Sequence, residues 1–337
     1  MITQKEIAEE LGISRTTVAR AINGSPSIKK ETKEKIMKLV EKYNYEKNYI
    51  GSTLAIKTKK LVYALVVKSK NEFYTDGIYN GLLKVEKEFK HYNMAMEIIQ
   101  TDINDEELQL RKLKEILLKD NIGGLIITPL AKEKIYKILK PYLETMKIIS
   151  LGMRLHKDIP HVGPDYKKMG KIAGEIMRNI LRDEERLLVI DNGDDKVSSK
   201  SYLEGFISKI KDTQIKIVGP IKGKNAETTV EIIEKYCTED RIDGIYINRY
   251  SHDSLKKVQK KLLIGKKIVT NGMDETIKKL IKSKIITATV MEQVELEGYT
   301  AGKRIFDSII KNQTMENRWE VLKSRIVFLE NLPDEIE

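Results

Sequence analysis

Residues 3–23 read TQKEIAEELGISRTTVARAIN, and the interpretation of the whole chain starts from this stretch. Thr3 and Glu6 have the spacing of a capping box, so a short helix is expected to begin there and to stop at Gly12. Ser14 is a preferred N-cap, and it predicts a second helix directly after the glycine turn. Two short helices joined by a tight turn are typical of a helix-turn-helix unit.

The next segment predicts a third helix. After Pro26, apolar residues return at helical spacing. They are Ile36, Leu39, Val40 and Tyr43. We therefore expect a head of three helices over residues 1–47, in which the second helix is the one that would enter the major groove of double-stranded DNA.

Three polar side chains on the second helix have the chemistry to read bases. Arg15, Thr16 and Arg20 are expected to project outward, because Val18 and Ile22 occupy the opposite face. Arginine can bind guanine through two hydrogen bonds, which contribute about 1–3 kcal/mol of discrimination, and threonine can contact the thymine methyl group. The alternative is that both arginines are ordinary solvated residues of a small helical bundle.

Phosphate contacts are a separate expectation for the same segment. Thr17 and Asn23 are predicted to bind backbone phosphates, which orient a protein on DNA without carrying sequence information.

The charge of the chain is concentrated in this segment. The 337 residues include 61 Lys and Arg against 50 Asp and Glu, a formal net charge of +11. The first 60 residues hold 13 basic and 7 acidic residues, whereas the other 277 hold 48 and 43. More than half of the excess therefore lies in the predicted head and the residues just after it, as a partner that is a polyanion would require.

From residue 61 onward, apolar strand-like runs alternate with amphipathic helical stretches. The predicted strands are 61–68, 94–99, 124–128, 147–151, 187–191, 243–248, 266–270 and 285–290. The clearest helix is predicted over 166–181. Repeated units of strand and helix indicate parallel sheets covered on both faces. Eight units exceed one sheet of ordinary size, so we predict an α/β domain of two lobes with a cleft between them over residues 61–337.

Residues 3–23 resemble the opening signature of the lactose-repressor (LacI) family of bacterial transcription regulators. The family pattern A-x-x-x-G-V-S-x-x-T-V-S-R-x-L-N is nearly intact, with departures that include Ile13 for Val and Ala19 for Ser. A two-lobe α/β domain behind such a head extends the resemblance to the whole chain. It implies a repressor of the periplasmic-binding-protein-like (type I) architecture, in which Arg15, Thr16 and Arg20 read bases.

The resemblance also implies a hinge helix and linker over residues 48–60. In this family two hinge helices of a homodimer pair in the minor groove of a near-palindromic operator and wedge a leucine between base pairs. Leu54 matches that leucine, and the hinge helix is expected to run from Asn48 to Lys57. A leucine that covers the lobe beneath it is the alternative for Leu54. Gly51, where the family has alanine, weakens the helix by about 1 kcal/mol.

For residues 61–337 the resemblance implies a small effector, often a sugar, between the lobes. Phe73 and Tyr74 lie where such domains place aromatic residues against a sugar ring. Tyr202 and Asn271 replace the family's ligand-binding arginine and aspartate, and Glu292 falls where some relatives have glutamine. Since a typical pair of hydroxyl-binding groups is lost, the effector is expected to differ from a simple hexose.

Three further polar residues end predicted strands on the side where ligands enter open α/β sheets. They are Arg154, Asn248 and Arg249. An arginine that faces the cleft would favour an anionic effector, whereas a solvated loop position is the alternative. Asp165, which opens the predicted helix after Gly-Pro, is interpreted as a possible N-cap only.

Several classes of protein and site are not indicated. One cysteine, Cys237, and four scattered histidines give no spacing for a zinc site, and no cofactor or metal is expected. No secretion signal, membrane span or catalytic motif is apparent, which favours a cytoplasmic protein without enzyme activity. The competing hypotheses are a solute-binding protein, an enzyme fused to a DNA-binding head, and a regulator whose pocket has lost its ligand.

Overall fold

The computed structural model describes residues 2–22, 28–43, 45, 60–69, 71–192, 197–316 and 318–333. The chain divides into two compact units, residues 1–57 and 58–337, and each is described here by itself. We call the first unit the head and the second unit the cleft domain.

The head contains the three helices that were predicted, α1 (Gln4–Glu10), α2 (Arg15–Ile22) and α3 (Lys30–Lys42). Both hydrogen bonds of the capping box are present, from Glu6 N to Thr3 Oγ1 at 3.3 Å and from Thr3 N to Glu6 Oε2 at 2.7 Å. Ser14 caps α2 by accepting a hydrogen bond from Thr17 N at 3.1 Å. Local capping chemistry therefore sets both helix starts, as the sequence indicated.

A small apolar core joins these helices. Ile7, Val18 and Ile36 are fully buried in it, one from each helix. Tyr43 directly follows the end of α3 at Lys42 and is 39% exposed. Tyr45 packs against the core of the head.

The cleft domain is an α/β structure. Its strands are β1 (Lys60–Lys68), β2 (Met94–Asp102), β3 (Ile122–Ile127), β4 (Lys147–Leu151), β5 (His161–Pro164), β6 (Arg186–Asp191), β7 (Lys216–Lys222), β8 (Gly244–Ile247), β9 (Lys267–Asn271), β10 (Ala288–Met291), β11 (Trp319–Leu322) and β12 (Arg325–Val327). Its α-helices are α4 (Glu72–Phe89), α5 (Glu106–Leu117), α6 (Lys132–Leu139), α7 (Tyr166–Ile180), α8 (Val197–Ile210), α9 (Ala226–Glu239), α10 (Ser251–Leu255), α11 (Lys260–Leu263), α12 (Glu275–Lys282) and α13 (Val294–Lys311).

The strands form two six-stranded sheets, one in each lobe. The order is β11-β5-β4-β3-β1-β2 in the first lobe and β12-β10-β9-β8-β6-β7 in the second. All described pairings are parallel except that of β10 with β12. The predicted two-lobe parallel architecture is confirmed.

The chain passes from one lobe to the other at three places. It leaves the first lobe between β5 and α7, returns between β10 and α13, and crosses again between β11 and β12. The segments that cross are 164–166, 291–294 and 322–325. Any change in the angle between the lobes must be absorbed there, because these are the covalent connections between the two sheets.

All eight predicted strands are present, with ends that differ by a few residues, but β5, β7, β11 and β12 were missed. Three of the missed strands have only three or four residues, and β5 and β7 each contain a Gly-Pro pair that reads as a turn. The predicted helix over 166–181 is α7, and Asp165 caps it by accepting a hydrogen bond from Lys168 N at 2.9 Å.

Helices α7 and α8 lie unusually close together on the second lobe. A Cβ atom on Gly170 would lie 2.0 Å from the carbonyl oxygen of Tyr202, and one on Gly205 would lie 2.0 Å from that of Lys167. Only glycine permits this approach of the two backbones. The contact brings Tyr166 and Tyr202, from the two different helices, within 5.3 Å of each other by ring centroids.

Candidate functional site

The outward face of α2 carries the predicted base-reading residues. Arg15, Thr16 and Arg20 are all exposed, while Val18 is buried on the opposite face. Thr17 is half-buried, and its hydroxyl lies 2.9 Å from Ser14 Oγ, so it takes part in the cap of α2. The three side chains are therefore accessible on one helix, and their contact with bases remains a prediction.

Four other predicted DNA contacts lie outside the described residues. They are Asn23, Asn48, Leu54 and Lys57. The predicted hinge over residues 48–60 also lies outside them, apart from Lys60 at the start of β1.

The second site is a cavity of about 740 Å³ between the two lobes. It lies where the strands of both sheets reach their carboxyl ends, the place at which open α/β sheets bind ligands. The first lobe contributes residues that follow β1, β3 and β4, and the second contributes residues that follow β6 and β8. Its lining includes Ser69, Tyr74, Glu106, Lys132, Glu133, Lys134, Met153, Tyr166, Ser198, Arg249, Tyr250 and Glu292.

Five of the eight predicted ligand-binding residues gather here. Tyr74, Arg249 and Glu292 line the main cavity, and Tyr202 and Asn271 line a small adjoining cavity that also touches Arg249 and Glu292. We call the Glu292 side of this cleft its inner end, since Tyr202 and Asn271 are buried behind it.

The other three predicted residues lie elsewhere. Arg154 is exposed and does not line the cavity. Phe73 packs against the apolar cores of both lobes and lines a separate groove with Asp76 and Asp274. Phe73 therefore bridges the lobes, and Tyr74, the next residue, is the aromatic side chain that faces the cavity.

Asn248 is fully buried and organises the strand ends beneath the cavity. Its Nδ2 donates to Asp191 Oδ1 at 2.7 Å and to the carbonyl oxygen of Ser199 at 3.3 Å, and its Oδ1 accepts from Asn192 N at 3.0 Å. Both ends of the amide have partners in the protein, so Asn248 supports the loop that carries Arg249.

Tyr202 and Glu292 form the central polar contact of the inner end. The Tyr202 hydroxyl donates a hydrogen bond to Glu292 Oε1 at 2.7 Å and also lies 3.7 Å from Met169 Sδ. Burial, and then the nearby Glu292 carboxylate, raise the pKa of the Tyr202 and Tyr166 hydroxyls well above the usual range. Both phenols therefore stay protonated and act as donors toward Glu292 or a ligand.

Arg249 is the basic group of the second lobe in the cavity. Its Nη1 donates to Ser198 Oγ at 2.5 Å, and its guanidinium carbon lies 4.9 Å from the centroid of the Tyr250 ring. Stacking of this kind holds a guanidinium in one orientation. The group is placed to bind an oxygen acceptor of a ligand, such as a hydroxyl or a carboxylate.

Asn271 has only one end of its amide satisfied. Its Oδ1 accepts a hydrogen bond from Tyr246 Oη at 2.6 Å, whereas its Nδ2 is buried without a hydrogen-bond partner among the described residues. A buried donor without a partner costs about 1–3 kcal/mol. A ligand acceptor at the inner end would remove that cost.

Sequence reasoning missed several residues of this site. Tyr166, Lys132 and Tyr250 line the cavity, and Glu297 lies buried on α13 with neither carboxylate oxygen hydrogen-bonded in the described structure. Burial raises the pKa of Glu297 well above the usual value, and the Glu292 carboxylate adds to the effect. The one available signal was that Tyr250 follows a predicted strand end, as Arg249 does, whereas Tyr166 follows β5, which was not predicted.

Two different family models match the two structural units of the chain. Residues 3–48 match the model of the bacterial regulatory proteins of the lacI family, and residues 63–309 match the model of the periplasmic binding protein domain. The chain belongs to the lacI family of bacterial regulatory proteins. It is thus a DNA-binding regulator with a periplasmic-binding-protein-like domain.

Among relatives of this lacI-family chain is the catabolite control protein A of Staphylococcus aureus, 25% identical over 245 residues that cover 70% of this chain and 69% of the relative. Two solved structures share the fold of the cleft domain. The glucose-galactose binding protein GanP of Geobacillus stearothermophilus has a TM-score of 0.69 at 16% identity and covers 82% of this chain and 100% of its own. A solute-binding protein of Burkholderia graminis in complex with D-arabinose has a TM-score of 0.71 at 13% identity, with coverages of 83% and 99%.

The described residues contain neither a candidate metal cluster nor a candidate membrane-spanning helix. No group of three or more His, Cys, Asp or Glu side chains in the described ranges is arranged to hold a metal ion. Within the same ranges, no helix has both the length and the apolar composition needed to cross a membrane.

Proposed function

We propose that this lacI-family chain is a homodimeric, cytoplasmic repressor without enzyme activity, whose affinity for operator DNA is controlled by a small sugar or sugar derivative in the interlobe cavity. The observation that carries the proposal is the position of Tyr166 and Glu292. Both line the cavity, and both lie on segments that cross between the lobes. A ligand that touches them has a direct means of favouring one lobe arrangement.

The DNA half of the proposal rests on α2. Arg15, Thr16 and Arg20 are the side chains for base contact, and Thr17 and Asn23 are proposed to bind phosphate. Residues 48–60 are proposed to form the hinge, with Asn48, Leu54 and Lys57 at the minor groove.

The ligand half rests on the chemistry of the cavity. Tyr74 and Tyr166 offer aromatic rings, and Arg249, Asn271 and Glu292 offer donors and acceptors for hydroxyl groups. A volume of about 740 Å³ is ample for a monosaccharide. The D-arabinose bound by the Burkholderia protein, which shares the fold, makes a sugar the first class of effector to test.

Control of DNA affinity requires that the effector bind one lobe arrangement more tightly than the other. Phe73 supports a two-state arrangement, since it packs against the cores of both lobes and must move when they rotate. Whether the effector weakens or strengthens operator binding depends on which lobe arrangement favours the operator.

The test is a titration of fluorescent DNA from the region upstream of the chain's own gene, by anisotropy at several salt concentrations. We expect specific binding that falls steeply with salt, because phosphate neutralisation releases counterions, and that changes when the effector is added. Affinity that is independent of salt, or equal on scrambled DNA, would show that the assignment of the head is wrong.

A regulator with an empty, vestigial pocket is the second candidate, and the replacement of the family's arginine and aspartate by Tyr202 and Asn271 is the observation that favours it. Thermal unfolding with a panel of sugars separates the two. A ligand at 100 times its Kd stabilises the folded chain by about 2.7 kcal/mol. The vestigial pocket predicts no shift with any member of the panel.

A further inference from the structure

Four tyrosines surround the inner end of the cleft. Tyr74, Tyr166 and Tyr250 line the main cavity and Tyr202 lines the adjoining one, with the rings of Tyr166 and Tyr202 edge to face at 5.3 Å. Aromatic faces carry negative potential, and several of them around one space attract a cation. Stacking on a neutral sugar needs one or two such rings, so the number alone does not define the ligand.

The carboxylate among these rings is the second observation. Glu292 lines both cavities together with Arg249, and it accepts a hydrogen bond from Tyr202 Oη. Among the described residues, no lysine or arginine nitrogen forms a salt bridge with Glu292, and the hydrogen bond that it accepts comes from a neutral hydroxyl. A half-buried carboxylate without a salt bridge favours binding of a positively charged group.

The neighbouring titratable groups respond to the same charge. Burial first, and the Glu292 carboxylate next or among the next causes, raise the pKa of Tyr166, Tyr202 and Glu297, and Arg249 opposes the shift at the two tyrosines with a smaller effect. At both tyrosine hydroxyls the effect of the Glu292 carboxylate on the pKa thus exceeds that of Arg249. Glu297 keeps its proton mainly because it is buried, and it has no hydrogen-bond partner among the described residues.

The remaining polar groups define the rest of the ligand. Asn271 Nδ2 is a buried donor at the inner end without a hydrogen-bond partner among the described residues, and the Arg249 guanidinium is a second donor that lines both cavities. The amide of Asn271 requires an acceptor oxygen, and Arg249 can donate to another. A ligand that fits all of these groups has hydroxyl oxygens for Asn271 and Arg249 and a positive charge for Glu292.

We propose that Glu292 and the surrounding tyrosines bind the protonated amine of the effector, and that the effector is an amino sugar. This inference rests on the proposed function, since it specifies the ligand class of the same cleft. It makes Glu292 the residue that determines specificity between amino sugars and their neutral parents.

The experiment measures binding of matched ligands to the full-length chain at pH 7 by calorimetry. The probes are D-glucosamine, D-galactosamine and D-mannosamine, each compared with its parent hexose, its N-acetyl derivative and its uronic acid. We expect at least one amino sugar to bind at least tenfold more tightly than its three uncharged or anionic counterparts. Equal or tighter binding of a parent hexose or a uronic acid, or no binding by any amino sugar, overturns the proposal.

Two variants test whether Glu292 is the source of the preference for the protonated amine. Glu292→Gln keeps the hydrogen-bonding shape and removes the charge, so the preference for the amine is expected to fall at least tenfold. Glu175→Gln makes the same change on the exposed side of α7 and should leave the preference intact. A preference that survives in Glu292→Gln contradicts the role of Glu292, and the wild-type panel stays decisive if that variant does not fold.

Operator binding without ligand keeps this inference separate from the function on which it rests. Specific DNA binding that responds to a neutral sugar alone leaves the regulator intact and rejects the amino sugar. Absence of specific DNA binding by the wild type, both without ligand and with every ligand of the panel, rejects the proposed function itself.

Discussion

The head and the cleft domain hold their candidate functional residues in opposite ways. Arg15, Thr16 and Arg20 lie within six residues of one another on a single helix, and all are exposed. Tyr74 and Glu292 lie more than 200 residues apart in the chain and meet in one cavity, where the second of them is hydrogen-bonded to a buried tyrosine. A short helix capped at its start by Ser14 is enough to present the first set, whereas the second set needs both sheets to be complete.

The energetics differ in the same way. The exposed side chains of α2 stay solvated until DNA arrives, so they cost the free head little. Among the described residues, Asn271 and Glu297 have buried polar atoms without hydrogen-bond partners, and each such atom lowers the stability of the free protein. Asn271 lines the small adjoining cavity, where a ligand can satisfy it. The two regions should therefore respond differently to substitution.

The largest effect is expected from Gly205→Ala. Its Cβ would lie 2.0 Å from the carbonyl oxygen of Lys167, so α7 and α8 must separate, at a cost of about 3 kcal/mol. Effector affinity should fall as well, because Tyr166 and Tyr202 lie on these two helices. Thermal unfolding and calorimetry measure both effects. Lys200→Ala, an exposed change on α8, is the control, and an unchanged Tm for Gly205→Ala would show that the helix contact is not tight.

Arg20→Ala should act on the head alone. Loss of one two-pronged base contact removes about 2 kcal/mol of discrimination, or about thirtyfold, between the operator and a variant operator. Unfolding of the cleft domain and effector affinity should stay the same. Anisotropy with the two DNA sequences measures this, with Lys38→Ala on the exposed side of α3 as the control. An equal loss of affinity on operator and random DNA would mean that Arg20 contacts phosphate only.

Glu297→Met should stabilise the cleft domain at neutral pH by about 1.5 kcal/mol, because it replaces a buried carboxyl that lacks partners with an apolar side chain of similar size. The pKa of Glu297 is raised on folding, so the wild type loses stability as the pH rises above its unfolded value of 4.5. The advantage of the variant should therefore shrink below about pH 5. Urea unfolding at pH 4.5 and 7.5 checks this, and an advantage that grows toward acid pH contradicts it.

The smallest effect is expected from Ser14→Ala. Removal of the hydrogen bond from Thr17 N to Ser14 Oγ should destabilise α2 by about 1 kcal/mol. Operator affinity should weaken several-fold on all sequences alike, since the helix that carries the contacts is less populated. Circular dichroism and anisotropy measure the two quantities, and Ser14→Asp, another good N-cap, should restore most of the helix stability. An intact α2 in Ser14→Ala would mean that packing on Val18 alone is sufficient.

The fold could be predicted well because its signals are local. The capping box at Thr3 and Glu6, the N-cap at Ser14 and the helical rhythm of α7 all act within a few residues. The short strands β5 and β11 could not be predicted, since they are defined by pairing with each other across about 150 residues of chain.

The candidate site was predicted less completely for a related reason. Tyr202 was identified as a substitution for a family arginine, but only the close contact of α7 and α8 shows that Tyr166 stands beside it. Asn248 and Arg249 are adjacent in sequence and have the same polarity, yet the first is buried in a hydrogen-bond network and the second lines the cavity. Strand-end position does not distinguish between such neighbours, because successive side chains point in different directions.

The sequence by itself determined the helix-turn-helix head, the excess of positive charge in the head and the residues just after it, and the order of the α/β units. Caps, turns and hydrophobic periodicity act over short distances along the chain, which is why these features can be predicted from it. The tertiary structure alone decided that Tyr166, Tyr202 and Glu292 meet, and that Glu297 and Asn271 are buried without full hydrogen bonding. These facts depend on where the chain crosses between the lobes and how closely its helices pack, and both are set by contacts between residues far apart in sequence.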